Sequence, residues 1–148
     1  MIDEILMEAE IKMDKSLEHL QAELTHIRTG RANPALIEKV QVKAIRDSGQ
    51  GLNPANDGQV VRVPIPPLTE ERRKEYVRMV HAKTEEARVA VRNVRREEMH
   101  RIQQQEKAGE IPADQAKRAT DQLQKITDAH TARIDAAGAR KEAEVMEV

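Results

Sequence analysis

The chain has 148 residues, enough for one domain or for one domain carrying a small lobe. It is 34% charged with a formal net charge of -1, and it has no cysteine, no phenylalanine, no tryptophan and a single tyrosine, Tyr76. Disulfides and thiolate metal sites are excluded, and any core has to be built from Leu, Ile, Val, Met and Ala, which suits helices meeting along narrow seams. Met1 leads into Asp3 and Glu4 rather than into a basic and then apolar secretory start. No apolar run approaches the roughly 20 residues a membrane span needs, so the expectation is a soluble, cytoplasmic protein without a membrane partner.

From Ile2 to about Arg28 the apolar residues fall at Ile2, Ile5, Leu6, Ala9, Met13, Leu17, Leu20, Leu24 and Ile27, a heptad seam from Met13 onward. Asp3, Glu4 and Glu8 suit the N-terminal end of a helix dipole, and Thr29-Gly30 supplies a stop. Residues 31–66 behave differently. Val40-Gln41-Val42 and Gln59–Val63 read as strands, Lys43–Ser48 as a turn of helix, and Gly49–Leu52 and Asn56-Asp57-Gly58 as turns. A unit this short usually needs a disulfide, a metal or a partner to fold. The lobe therefore looks incomplete: either part of it has been removed, or residues are missing between Val42 and Lys43.

Pro64-Ile65-Pro66-Pro67 cannot be helical, and Thr69 then caps a helix whose first turn holds Glu70 and Glu71. Its seam runs through Val77, Val80, Thr84, Ala87, Val91 and Val94, with Ile102 prolonging it after a shift in phase. A helix from Thr69 to about Gln105 is ~55 Å long and needs partners along its length. Gly109–Pro112 reads as a reversal that places Pro112 at a first helical position. A third seam follows through Ala116, Ala119, Leu123, Ile126, His130, Ile134 and Ala137, and Gly138 predicts a frayed end. The fold expected is mainly α: an elongated three-helix bundle from residues 1–30 and 67–148, with a small α/β lobe at 31–66, truncated near Val42/Lys43.

Charge is segregated along this chain. Residues 72–101 hold ten Lys/Arg against five Glu, while residues 1–28 hold seven acids against three bases. Arg88, Arg92, Arg95 and Arg96 cover roughly a 100° arc beside the second seam, a candidate polyanion-binding face. Arginine forks match phosphate oxygens in a bidentate way. The competing reading is a solvated flank, with Glu97 and Glu98 paired inside the helix. Arg28 and Arg31 flank the break after the first helix, where Arg28 equally suits simple dipole complementation. Thr29, Gly30, Arg31, Pro66 and Pro67 lie at the two crossings between bundle and lobe, a natural hinge or a rigid double linker. The five histidines lack the i, i+3 or i, i+4 pairing of a helical zinc site, and Gly49-Gln50-Gly51 is too short for a phosphate loop. No cofactor, metal or catalytic set is expected, and the carboxylates are read as solvating. With almost no aromatics to stack bases, structured RNA suits the chain better than a single strand.

Several stretches resemble the bacterial ribosome recycling factor family: Arg28–Ala35, Gly51–Pro54, Asp57-Gly58, Arg62–Lys74, Ala87–Arg96 and Gln124–Asp128. The resemblance spans nearly the whole chain. It implies an L-shaped molecule whose three-helix bundle and α/β lobe are joined by two hinge strands. It implies no enzyme but a translation factor that binds the ribosome after termination and, with elongation factor G, helps separate the subunits. Large-subunit ribosomal RNA would lie against Arg92, Asn93, Arg95 and Arg96, with Arg28 and Arg31 near the hinge. The lobe departs from the family pattern, since further strands should intervene between Val42 and Lys43. Off the ribosome a monomer is expected. The alternative is a non-catalytic helical scaffold that binds a partner protein through its seams, and a hydrolase is a remote third.

Overall fold

The computed structural model describes residues 1–29, 55–56 and 61–147. It contains three long helices, α1 (Ile2–Thr25), α2 (Glu70–Lys107) and α3 (Ala113–Met146). A short antiparallel pair, β1 (Ala55–Asn56) and β2 (Val61–Arg62), sets Ala55 opposite Arg62 and Asn56 opposite Val61. The strand expected at Gln59–Val63 is met in part by β2, and Asn56, expected in a turn, belongs to β1. Val40–Val42, Lys43–Ser48 and Gly49–Leu52 lie outside the described residues, and the lobe's architecture and the L shape lie outside them too.

The first seam packs as its spacing requires, with Met13, Leu17, Leu20, Leu24 and Ile27 all buried. Helix α1 nevertheless stops at Thr25, three residues early. The N–H groups of His26 and Ile27 donate to the carbonyls of Glu23 and Leu24, both at 3.2 Å, and these three-residue bonds tighten the last turn. Helix α2 begins where the sequence places it. The Thr69 Oγ1 accepts the Arg72 N–H at 3.1 Å. Thr69→Ala is expected to cost about 1 kcal/mol, which a shift in the urea unfolding midpoint would register.

Helix α2 ends in a Schellman turn. The Glu110 N–H reaches the Gln105 carbonyl at 2.9 Å and the Gly109 N–H reaches the Glu106 carbonyl at 3.0 Å. Gly109 takes φ 74°, a conformation that favours glycine. Pro112 is not the first helical residue but the extended residue before it; its carbonyl accepts the Ala116 N–H at 3.0 Å. Helix α3 does not fray after Gly138 but runs on to Met146, with Val145 fully buried. The glycine sits where α3 crosses α2, and an added Cβ there would fall 2.7 Å from the Thr84 Oγ1.

Cross-helix pairs fix the order as up, down, up. Lys12 and Glu23 of α1 meet Glu98 and Lys83 of α2, so these helices are antiparallel. His81 and Arg88 of α2 meet Glu142 and Asp135 of α3, again antiparallel, while Asp14 of α1 meets His130 of the parallel α3. Each helix packs on the other two, so the three seams close on one another within one chain. No helix among the described residues is long and apolar enough to cross a membrane.

Of the buried polar side chains, His130 and Glu98 are the two that are large and fully enclosed. His130 is 2% exposed on the predicted seam, with Nε2 2.6 Å from the Asp14 Oδ1 and Nδ1 2.8 Å from the Ile126 carbonyl oxygen. Glu98 corrects the sequence reading: it is neither solvated nor paired only within its helix, but fully buried. Its two carboxylate oxygens take the Lys12 Nζ and the Arg101 Nη1, each at 2.8 Å. The seam of α2 therefore runs from Val91 through half-buried Val94 to Glu98 and Ile102. An acid holds the seam position between Val94 and Ile102, and the two successive steps of four around it make the shift in phase.

Candidate nucleic-acid interface

The tight packing of α2 between α1 and α3 fixes its arginine flank. Arg92, Asn93 and Arg96 are exposed, while Arg88 and Arg95 are half-buried beside the seam. The flank is not uniformly positive. Arg88 donates from Nε to the Asp135 Oδ1 at 2.7 Å and from Nη1 to the Glu85 Oε2 at 3.0 Å. Arg92 donates from Nη2 to the Glu85 Oε1 at 2.6 Å. Hydrogen bonds from Arg88 first, and then from Arg92, hold the Glu85 carboxyl below the ordinary carboxylate range.

Arg95 and Arg96 differ from that pair, since neither has a carboxylate within ion-pair range among the described residues. The Arg95 Nε is also shielded from solvent without a hydrogen-bond partner there. An unsatisfied buried donor is costly in a structural role and recurs at functional positions. The four arginines thus lie together on one flank, but only its C-terminal half offers uncompensated charge. Sequence reasoning missed Glu85 and Asp135. The Glu85-x-x-Arg88 spacing was a readable signal of an i, i+3 pair. Asp135, on another helix, gave none.

Arg28 is 4% exposed, and its Nη2 donates to the Pro66 carbonyl. It ties the two crossings together at the end of the bundle, with Thr29 buried beside it and Pro66 and Pro67 exposed. Gly30 and Arg31 lie outside the described residues. The geometry leaves the Arg95 and Arg96 guanidinium groups without a carboxylate partner among the described residues and ties the two crossings together through Arg28.

The family model for the ribosome recycling factor matches residues 42–146. A ribosome-recycling factor of Rubrobacter xylanophilus is 45% identical over 180 aligned positions, which cover 97% of each chain. One from Geobacillus sp. strain WCH70 is 42% identical over 185 positions and aligns with the whole of both chains. Those 185 positions exceed the 148 residues present here, so the relative carries internal residues that have no counterpart in this chain. Among solved structures, the solution structure of a ribosome recycling factor is 38% identical, with a TM-score of 0.78 over 99% of this chain and 98% of that one. A T. thermophilus ribosome recycling factor, placed with E. coli elongation factor G on the E. coli post-termination complex, is also 38% identical. It matches with a TM-score of 0.71 over 99% of this chain and 100% of its own. The chain belongs to the ribosome recycling factor family.

Proposed function

We propose that this protein is a cytoplasmic translation factor that binds the post-termination ribosome through large-subunit ribosomal RNA and, with elongation factor G, promotes separation of the subunits. It acts by binding and leverage, without an active site, and is a monomer off the ribosome. Family membership supports the partner, and one observation supports the face: Arg95 and Arg96 are the α2 arginines of this flank that no described carboxylate neutralises. Arg95 carries the contact, helped by Arg96 and Asn93. Arg88 and Arg92 join at the cost of loosening Glu85 and Asp135. Arg28 supports the hinge region from inside, and a role for Arg31 rests on the family resemblance alone.

The division into a bundle at 1–30 and 67–148 and a lobe at 31–66 belongs to the same reading, with the internal shortfall falling near Val42/Lys43. A bundle intact beside a shortened lobe should bind subunits normally and split them poorly. Arg95→Ala is expected to weaken binding to purified large subunits about tenfold, some 1.4 kcal/mol, with helicity by circular dichroism unchanged. About four phosphate contacts give a log–log salt slope near -3. Affinity unaltered by Arg95→Ala would remove that residue from the interface, and a salt-independent affinity would dismiss the electrostatic face.

A further inference from the structure

Helix α3 sorts its charges into two columns. Asp114, Asp121, Asp128, Asp135 and Glu142 recur every seven residues. Asp135 lies 2.7 Å from the Arg88 Nε and Glu142 lies 2.9 Å from the His81 Nε2, so this acidic column faces α2. Arg118, Lys125, Arg133 and Arg140 form the second column at intervals of seven, eight and seven residues, all four exposed. They fall within an arc of about 80° on the side away from buried Leu123, His130 and Ile134, and the row extends ~33 Å.

These cations share with Arg95 and Arg96 of α2 the lack of a carboxylate partner among the described residues. On α2, Arg72, Lys74, Lys83, Arg88, Arg92 and Arg101 all have carboxylate partners. Among the described residues no carboxylate comes within ion-pair range of any of the four on α3. The acidic column also lies between this row and the arginine flank of α2, so the two basic surfaces are separate. The large exposed apolar residues of the described chain (Met1, Met7, Ile11, Met79, Val89 and Met146) all fall outside the row. Between its members stand exposed Ala129, Ala132 and Ala136. Such a surface lacks the bulky apolar face by which an amphipathic helix enters a bilayer, and the aromatic anchors of a protein hot spot. Phosphates need only the charge.

We propose that the α3 row is a second polyanion contact, taking the phosphate backbone of a stretch of structured RNA distinct from the one met by the α2 flank. The inference rests on the RNA-binding reading above, and its test separates the two. The full-length chain carrying K125A, R133A and R140A would be titrated against purified bacterial large ribosomal subunits over a potassium chloride series, beside R95A. Arg118 is left intact because it shares a groove with Asp3 of α1. The triple variant should make the salt slope shallower by about 2–3 and raise Kd at least tenfold, while keeping wild-type circular dichroism. Its effect should add to that of R95A, as expected of distant sites. A triple variant matching wild type in affinity and slope, while R95A weakens binding, would overturn the proposal. Loss in the triple variant with R95A unaffected would uphold the row and remove the flank. Vesicles containing phosphatidylserine serve as the competing probe: a triple variant that loses only vesicle binding would refute the RNA assignment.

Discussion

Removing both cations from Glu98, with Lys12→Ala and Arg101→Ala combined, is expected to destabilise the bundle by about 3–5 kcal/mol. The carboxylate is fully buried, and its oxygens are satisfied by these two side chains, each at 2.8 Å. Without them an ionised group remains in an apolar seam with water excluded, and the penalty is its desolvation rather than the loss of two surface pairs. The opposite change should behave differently. Glu98→Leu removes the buried charge and fills the seam, while Lys12 keeps Glu97 at 3.3 Å and Arg101 keeps Glu8, both near solvent. The expected outcome is a bundle at least as stable as wild type, as when buried ion pairs give way to apolar residues of similar size. Urea unfolding of the three proteins at neutral pH decides the matter. Equal losses for the double variant and Glu98→Leu would mean that the network itself is net stabilising.

The bundle was readable from sequence because helical periodicity is a local property. The seam from Met13 to Ile27, the cap at Thr69 and the reversal at Gly109 each depend on residues within one or two turns, and all lie where that chemistry places them. What escaped were features that exist only across helices. Glu98 looks like any surface glutamate until α1 brings Lys12 against it. Gly138 looks like a weak point in a helix until α2 brings Thr84 to the same place. The arginine cluster was visible, but its grading from neutralised Arg88 to uncompensated Arg95 depends on Asp135, which no spacing on α2 reveals. Motif resemblance supplied what physics alone left open, the kind of RNA-bearing partner. The lobe's strands gave the weakest signal, since short segments around turns carry little periodicity.

The arrangement gives the proposed function a mechanical rationale. Binding charge sits on long helices locked to one another by paired layers at each level: Glu8 and Arg101, His130 and Asp14, Glu23 and Lys83, His81 and Glu142. On the proposed function, a rod of this kind would pass a push at the Arg28 end to the arginine flank of α2. The Arg28 bond to the Pro66 carbonyl places a clamp at that end.

The crossing of α2 and α3 at Gly138 yields the second large expected effect. At Gly138 an added Cβ would lie 2.7 Å from the Thr84 Oγ1 and 3.1 Å from its Cγ2. Thr84 cannot easily turn aside, because it is buried, β-branched and tied by its hydroxyl to the Val80 carbonyl at 2.6 Å. Gly138→Leu should therefore push the helices apart and cost about 3 kcal/mol, enough to strain the Arg88–Asp135 and His81–Glu142 pairs that flank the crossing. Gly138→Ala sets overpacking against the gain of ~1 kcal/mol that alanine brings to a helix interior. With Thr84 present the clash should win and the protein should lose stability. In a Thr84→Ala background the obstruction is gone, and the same Gly138→Ala change should become stabilising by up to ~1 kcal/mol. That reversal of sign, read from urea midpoints around a double-mutant cycle, tests whether the glycine is there for the crossing. Stabilisation of the Thr84 protein by Gly138→Ala would show that the helices have room to spare and that the glycine serves no packing need.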